Sequence, residues 1–316
     1  MAVMIGTNDG VWELTDGQSH RVGLAGKDVS HLATRDGTTL ATVPYTGLYA
    51  ITATGDRLVW QGDARACALA PDGTFYVGTE PAMIFRSHDA GATWQRSDNI
   101  DTLPTRAEWY FPQPPRQPHV RSIDCIPGSA VSILVGVEVG GVLLSPDGGE
   151  SWQEFNHGIY VDVHAVRPDP LHPGRLVAVT GRGFYASEDG GISWEPRMQG
   201  LGHRYTVGLH ANPACAGELL VTAGDGPPGV NAGIYHSRDA GRHWDAVVDA
   251  VLPVEYGRAP VAFFADGAAW IATHAGQIFR AEEVKGRWAL VCELPAIIHA
   301  VAAGGSPCSV DSGYRR

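Results

Sequence analysis

Four copies of one eight-residue pattern, Ser-x-Asp-x-Gly-x-x-Trp, constrain the fold of this chain more than any other feature. The copies are SHDAGATW (87–94), SPDGGESW (145–152), SEDGGISW (187–194) and SRDAGRHW (237–244), and they begin 58, 42 and 50 residues apart. Short Ser and Asp side chains hydrogen-bond turn amides, glycine permits a positive φ, and the tryptophan ring covers a hairpin. Each copy therefore predicts one hairpin at a regular spacing along the chain.

The spacing predicts a repeat architecture, because a four-stranded β-propeller blade takes roughly 40 to 50 residues. Strand-and-turn cycles also continue through regions that lack a perfect copy of the motif. Six cycles can be placed, at 28–62, 64–97, 119–156, 161–198, 204–249 and 258–292. A seventh combines an innermost strand at 296–304 with outer strands at 3–7, 10–14 and 20–23. We therefore expect an all-β, seven-bladed propeller, a single domain over residues 1–316, whose last blade is closed by the N- and C-terminal strands so that no sheet edge stays open.

The repeated motif resembles the Asp-box, or BNR repeat, of bacterial sialidases, sortilin-type receptors, xyloglucan-cleaving glycosidases and the photosystem II assembly factor. Nearly the whole chain resembles bacterial propellers described only as BNR-repeat or YVTN-like proteins. With these it shares Leu-Pro-x-Arg-x-x-Trp-x-Phe-Pro at 103–112, followed by His-Val-Arg at 119–121. The resemblance implies the propeller fold but no particular reaction, because relatives that share the motif do unrelated things. The motif residues are accordingly interpreted as structural, and the function is sought elsewhere.

Charge and composition exclude several classes of partner. The net charge of −11, from 23 Lys and Arg against 34 Asp and Glu, opposes the basic surface that nucleic-acid binding needs. No segment approaches the roughly 18 consecutive apolar residues of a membrane span. The N-terminus lacks the pattern of a secretory signal, so a cytoplasmic location is expected. Five widely scattered cysteines do not suggest a disulfide framework.

Functional side chains are expected at the top face, defined as the end of the ring where the first strand of each blade begins and the second strand ends. Aligning the first strands on their terminal turns places His31, Cys67, His164 and His299 at one position, with His210 about one residue off. Imidazoles at equivalent positions of a ring approach one axis, which predicts a divalent transition-metal ion held by His31, His164 and His299. The alternative is a polar channel of water and hydrogen-bonded histidines.

The ends of the second strands supply the candidate catalytic groups Glu80, Glu138, Arg182 and His274. Two carboxylates, an arginine and a histidine around one concavity would provide an acid, a base and an anion-binding group.

The segment 98–118 interrupts the blade rhythm and is predicted to be a loop inserted at the top face. It is rich in proline and carries a Trp-Tyr-Phe run, so it is typical of a lid or ligand wall, or of a plug that packs over the channel. The predicted ligand-binding residues are Arg106, Glu108, Trp109, Tyr110 and Arg121.

Two hypotheses of different classes follow from these residues. The first is a propeller that binds a small-molecule ligand at the top of the channel and is a metal-dependent enzyme. The second is a noncatalytic scaffold that holds a partner protein. A sialidase-like glycosidase ranks third, because the Arg-Ile-Pro segment of sialidases does not occur in this sequence.

Overall fold

The computed structural model describes residues 2–126, 128, 132–227, 229–254 and 256–303, and the backbone of 309–311. It is a ring of seven antiparallel sheets, the blades, which confirms the predicted seven-bladed β-propeller. The chain opens with β1 (Val3–Thr7), β2 (Gly10–Thr15) and β3 (Gln18–Gly23). Blade 1 contains β4 (His31–Arg35), β5 (Thr38–Val43), β6 (Gly47–Thr52) and β7 (Gly55–Gln61). Blade 2 contains β8 (Ala64–Leu69), β9 (Phe75–Thr79), β10 (Ile84–Ser87) and β11 (Gln95–Arg96).

The next four blades follow the same order. Blade 3 contains β12 (His119–Cys125), β13 (Ile133–Glu138), β14 (Gly141–Ser145) and β15 (Gln153–Glu154). Blade 4 contains β16 (Val163–Pro168), β17 (Leu176–Thr180), β18 (Gly183–Ser187) and β19 (Glu195–Pro196). Blade 5 contains β20 (Tyr205–Ala211), β21 (Leu219–Gly224), β22 (Gly233–Ser237) and β23 (Asp245–Ala246). Blade 6 contains β24 (Val261–Ala265), β25 (Ala268–Ala272), β26 (Gln277–Ala281) and β27 (Ala289–Glu293).

Blade 7 closes the ring with both ends of the chain, as the sequence predicts. Strand β28 (Ile298–Ala303) pairs antiparallel with β1 in a register that joins Val3 to Ala303, and β2 and β3 complete the sheet. One expectation is corrected, because β28 is not the innermost strand. A fifth strand, β29 (Ser309–Asp311), pairs with its other edge and lies close to β4, β20 and β24. The backbone of β29 therefore enters the central channel; residue 304 lies outside the described residues.

The hydrophobic core lies between blades. The described residues form seven buried clusters, one at each interface between adjacent blades. The inner strands are covered on both faces, and accordingly every residue of β13 (ILVGVE) and β21 (LLVTAG) is buried and neither strand alternates between polar and apolar residues. Outer strands such as β7 and β11 are mostly exposed. Each blade is thus stabilised by its two neighbours.

The repeated motif fastens its own hairpin, and in three of its four copies the tryptophan also bonds to the preceding blade. In the first copy the Ser87 hydroxyl accepts the backbone N–H of Gly91 at 2.8 Å, and the Asp89 carboxylate accepts that of Thr93 at 2.8 Å. The indole N–H of Trp94 donates to the carbonyl of Val59 in β7 at 2.8 Å. Trp194 and Trp244 make the corresponding bonds to Phe155 and Arg197, at 2.9 and 3.1 Å. The motifs lie at the bottom face, between the third and fourth strands of blades 2 to 5.

None of the helices described is long and apolar enough to cross a membrane. The described cysteines, Cys67, Cys125, Cys215 and Cys292, are free thiols, whereas Cys308 lies outside the described residues.

Candidate functional site

The first strands carry β-bulges near the top face, and these determine which side chains reach it. The bulged residues are Arg65, Arg121, His164, Val207 and His299. A bulge leaves one residue unpaired and redirects its side chain. His164 and His299 therefore share a position, as predicted.

The predicted register is wrong for His31 and Cys67. His31, which pairs with Thr42, lies one residue after the position that the bulge occupies in the other blades. Cys67 lies two residues after the bulged residue of its own strand, Arg65. Turns of different length separate the first two strands of each blade, so alignment on those turns does not preserve the register.

His31 and His210 are hydrogen-bond acceptors of the core. Nδ1 of His31 accepts the backbone N–H of Cys67 in blade 2 at 3.3 Å, and Nδ1 of His210 accepts that of Phe264 in blade 6 at 3.3 Å. Burial, with repulsion from Arg167, lowers the pKa of each to about 3. Both imidazoles are therefore neutral at neutral pH and join adjacent blades, and the accepting lone pair of His31 is not available to a metal.

His299 lies in a separate group at blades 6 and 7. Its Nε2 is 3.6 Å from Oδ1 of Asp28, and its ring centroid is 5.4 Å from that of His274. Nε2 of His274 lies 3.4 Å from a guanidinium nitrogen of Arg258. Burial, followed by repulsion from His274 and Arg258, lowers the pKa of His299 to about 3.

A denser network of charges occupies blades 2 and 3. Glu80 is 2.8 Å from the guanidinium of Arg65 and 3.7 Å from Nδ1 of His119. Nε2 of His119 lies 2.9 Å from Glu138, which Nε of Arg121 approaches to 3.3 Å. Burial alone would raise the pKa of Glu138, but Arg121 and His119 hold it well below its usual range. Glu138 is therefore an ionised carboxylate in a buried site.

The network continues into blade 4 through Asp162 and His164. Ligand atoms of Glu138, Asp162 and His164 all lie within 4.8 Å of one another, and among the described residues this is the one group of three that could hold a metal ion. The three predicted histidine ligands thus do not converge. His31 is occupied in the core, His299 lies with Asp28, and only His164 belongs to a cluster of ligand type.

The other predicted catalytic residues divide between the two groups. Glu80 and Glu138 share the network of blades 2 to 4, whereas His274 lies beside His299. Arg182 is exposed, with its guanidinium 4.4 Å above the ring of Tyr160. The four predicted groups therefore do not form one constellation.

The segment 98–118 is anchored to the top face by its aromatic residues. It contains two short 3-10 helices, Asp98–Thr102 and Arg106–Glu108. Trp109 is buried beneath the guanidinium of Arg106, 4.8 Å away, and its indole N–H donates to Thr105. Phe111 packs with its ring centroid 5.3 Å from that of His119.

Two of the predicted ligand-binding residues in this segment are exposed. Tyr110 is 50% exposed and Glu108 is also on the surface, whereas Arg121 is buried beside Glu138. Trp109 and Phe111 thus pack the segment against the top face, whereas Tyr110 is exposed to solvent.

The channel itself is narrow just below the mouth. His31, Arg121, His164 and Arg167 line a cavity of about 10 Å³, room for roughly one water molecule. The guanidinium of Arg167 is buried there, with its Nε 3.6 Å from the carboxylate of Asp124. A ligand larger than water would bind above this cavity, at the mouth.

The sequence analysis did not identify three site residues of the charged network in blades 2 to 4, namely Arg65, His119 and Asp162. Alternation along a strand does not reveal Asp162, because this residue precedes strand β16, and His164, two residues later, is bulged. The approach of Asp162 to Glu138 depends on how blades 3 and 4 pack, which no local pattern encodes.

The fold defines the class of this protein as a seven-bladed β-propeller. No family model and no curated protein matches the chain. Solved structures do match. A xyloglucanase of family GH74 from Xanthomonas campestris is similar with a TM-score of 0.60 and 17% identity over 83% of this chain, which spans 45% of that protein's length.

Two further solved structures match over most of the length of both chains. A structure of YCF48 bound to D1 peptide has a TM-score of 0.58 and 16% identity, over 91% of this chain and 90% of that one. The computationally designed protein Ika8 has a TM-score of 0.59 and 13% identity, over 99% and 93%. At these identities the likeness establishes the fold, which enzymes and noncatalytic proteins share.

Proposed function

We propose that the protein is a noncatalytic scaffold whose top face binds an extended apolar segment of a partner protein. The observation that carries the proposal is the distribution of exposed apolar side chains. Among the described residues, twelve large hydrophobic side chains are exposed, and eight of them lie in top-face connections. Those eight are Tyr45, Tyr110, Val161, Val230, Val248, Val251, Val254 and Ile297. Three of the eight, Val248, Val251 and Val254, lie in one loop, and clustered exposed apolar side chains are typical of an interaction site.

The valine loop, residues 247–254, is the most exposed part of this surface. Val248 is 82% exposed and Val254 97%, between the last strand of blade 5 and the first of blade 6. The loop is nevertheless anchored, because Leu252 is buried and the Asp249 carboxylate accepts the N–H of Val251 at 3.0 Å. Burial of Leu252 reduces the conformational freedom that the loop would lose on binding, which favours affinity.

The similar fold of YCF48 supports the same conclusion, since that propeller is described as bound to a peptide. The narrow cavity below the mouth also favours a ligand that lies across the face over one that enters the channel.

Replacing the exposed valines tests the proposal. We expect Val248→Ser, Val251→Ser and Val254→Ser, combined in one variant, to weaken binding of the partner by roughly 10-fold or more, because three apolar contacts are lost. The partner is first captured from an extract of the source cells and purified, and its dissociation constant is then measured by calorimetry. The matched control combines Leu171→Ser with Ile192→Ser, two exposed apolar residues of the bottom face. Equal affinity of the top-face variant and the wild type would refute the proposal.

A further inference from the structure

His164 has one ring nitrogen occupied and one without a hydrogen-bond partner. Nδ1 lies 2.6 Å from the backbone carbonyl of Thr206. A carbonyl oxygen only accepts, so Nδ1 carries the proton and the neutral ring presents a lone pair at Nε2. Nε2 is fully buried and makes no hydrogen bond. A carbonyl that fixes the tautomer of a histidine in this way is the usual outer partner of a metal-bound imidazole.

The nearest acidic group lies at a distance that suits a shared ion better than a hydrogen bond. Oδ1 of Asp162 is 3.6 Å from Nε2 of His164 and has no hydrogen-bond partner either. This separation is longer than a hydrogen bond. Two ligands that each lie about 2.1 Å from a tetrahedral ion are about 3.4 Å apart. The spacing of Asp162 and His164 is therefore close to that around a metal.

Glu138 is the third ligand of the candidate metal site, and two neighbouring side chains fix its position. His119 and Arg121 contact its carboxylate at 2.9 and 3.3 Å, which orients the group as outer partners of metal ligands do. On the other side, Gly181 leaves room for Asp162, because a Cβ at this glycine would collide with Oδ2 of that residue.

We propose that Glu138, Asp162 and His164 bind one divalent first-row transition-metal ion at the mouth of the channel. One imidazole nitrogen and two carboxylate oxygens suit Zn²⁺, Co²⁺, Fe²⁺ or Mn²⁺. Three protein ligands leave at least one coordination position for water or a ligand atom. Asp162 is 21% exposed, so that position is reached from the top face. The inference goes beyond the proposed docking of a partner and does not depend on it.

Metal titration of the untagged full-length chain, stripped with chelator and dialysed, tests the site. We expect about one equivalent of Co²⁺ per chain, followed by its visible absorption, and displacement by Zn²⁺ measured by calorimetry. His164→Asn retains a donor toward Thr206 but removes the Nε2 ligand, and we expect it to lower Zn²⁺ affinity by about 100-fold or more. Asp162→Asn, which preserves shape, should lower it by about 10-fold or more.

His299→Asn is the matched control. His299 also lies at a bulge, and its Nε2 is likewise 3.6 Å from an aspartate, Asp28, but it belongs to no group of three ligands within the described part of the chain. This variant should bind Zn²⁺ as the wild type does. The proposal is overturned if the wild type binds no stoichiometric ion, or if H299N loses the ion as fully as H164N. If H164N does not fold by circular dichroism, the affinity of D162N decides between the two outcomes.

Discussion

His31 and His210 show how a buried imidazole serves a propeller at the scale of single residues. Each accepts a backbone N–H from the first strand of the next blade, and each is 2% exposed or less. Burial lowers the pKa of both to about 3, from 6.5 in an unfolded chain. The unfolded state therefore binds more protons than the folded state between pH 6.5 and pH 3. The stability from these groups is complete above pH 6.5 and is lost as the pH falls through this window.

Replacing His210 by asparagine should reduce this acid sensitivity. The Asn side chain keeps an acceptor for the N–H of Phe264 but does not titrate. At pH 5 the lowered pKa of His210 reduces the unfolding free energy of the wild type by about 2 kcal/mol. We expect the loss in unfolding free energy between pH 7.5 and pH 5, measured by urea denaturation, to be smaller in H210N by about that amount. His20→Asn, at an exposed position of β3, is the control and should keep the wild-type loss. An equal loss in H210N and the wild type would contradict the assignment.

At the same scale, the candidate site was partly predictable. His164 and Glu138 were identified from strand position, because equivalent positions of a ring converge. His31 was misassigned, because the turns that follow the first strands differ in length, so alignment on those turns shifts the register of this strand. Asp162 precedes its strand and comes near Glu138 only through the packing of two blades.

At the scale of elements, the repeated motif is a connection between blades as well as a hairpin turn. The indole of Trp244 donates to the preceding blade, and a Cβ added at Gly241 would overlap the ring of Phe184 in that blade. The motif and the blade limits were readable from the sequence because they rest on local turn chemistry and strand length. Strand β29 was not, because its pairing with β28 rests on ring closure rather than on a repeat.

Substitutions at two glycines of the motif can distinguish the cost of backbone strain from the cost of crowding between blades. Gly190 and Gly241 have φ of 76° and 83°, but a Cβ at Gly190 meets nothing within 4 Å. Ala90 and Ala240 occupy the position equivalent to Gly190 in other copies, with φ of 55° and 56°. We expect Gly190→Ala to lower the unfolding free energy by about 1 kcal/mol. Gly241→Ala should lower it by a further 1–3 kcal/mol, roughly, because the core is overpacked. If denaturant titrations give the same loss of unfolding free energy for both variants, the motif is not tightly packed against the preceding blade.

At the scale of the whole molecule, stability depends on closing the ring. All six residues of β28 are buried, and they contribute to the interfaces of blade 7 with both blade 6 and blade 1. Without β28, the edge of β1 and two apolar interfaces would face water, and an open edge invites aggregation. A chain that lacks this strand is therefore expected not to keep the folded ring.

Two truncations test this dependence on closure. A chain ending at residue 295 lacks β28 and should aggregate or lose its cooperative thermal transition, because burial of Ile298 and Val301 alone is worth roughly 1.5–3 kcal/mol per side chain. A chain ending at residue 303 keeps β28 paired with β1 and should retain a cooperative transition. Calorimetry and light scattering distinguish the two. If the chain ending at 295 melts as the chain ending at 303 does, β28 does not hold the ring closed, and the contacts between the other blades are sufficient for the fold.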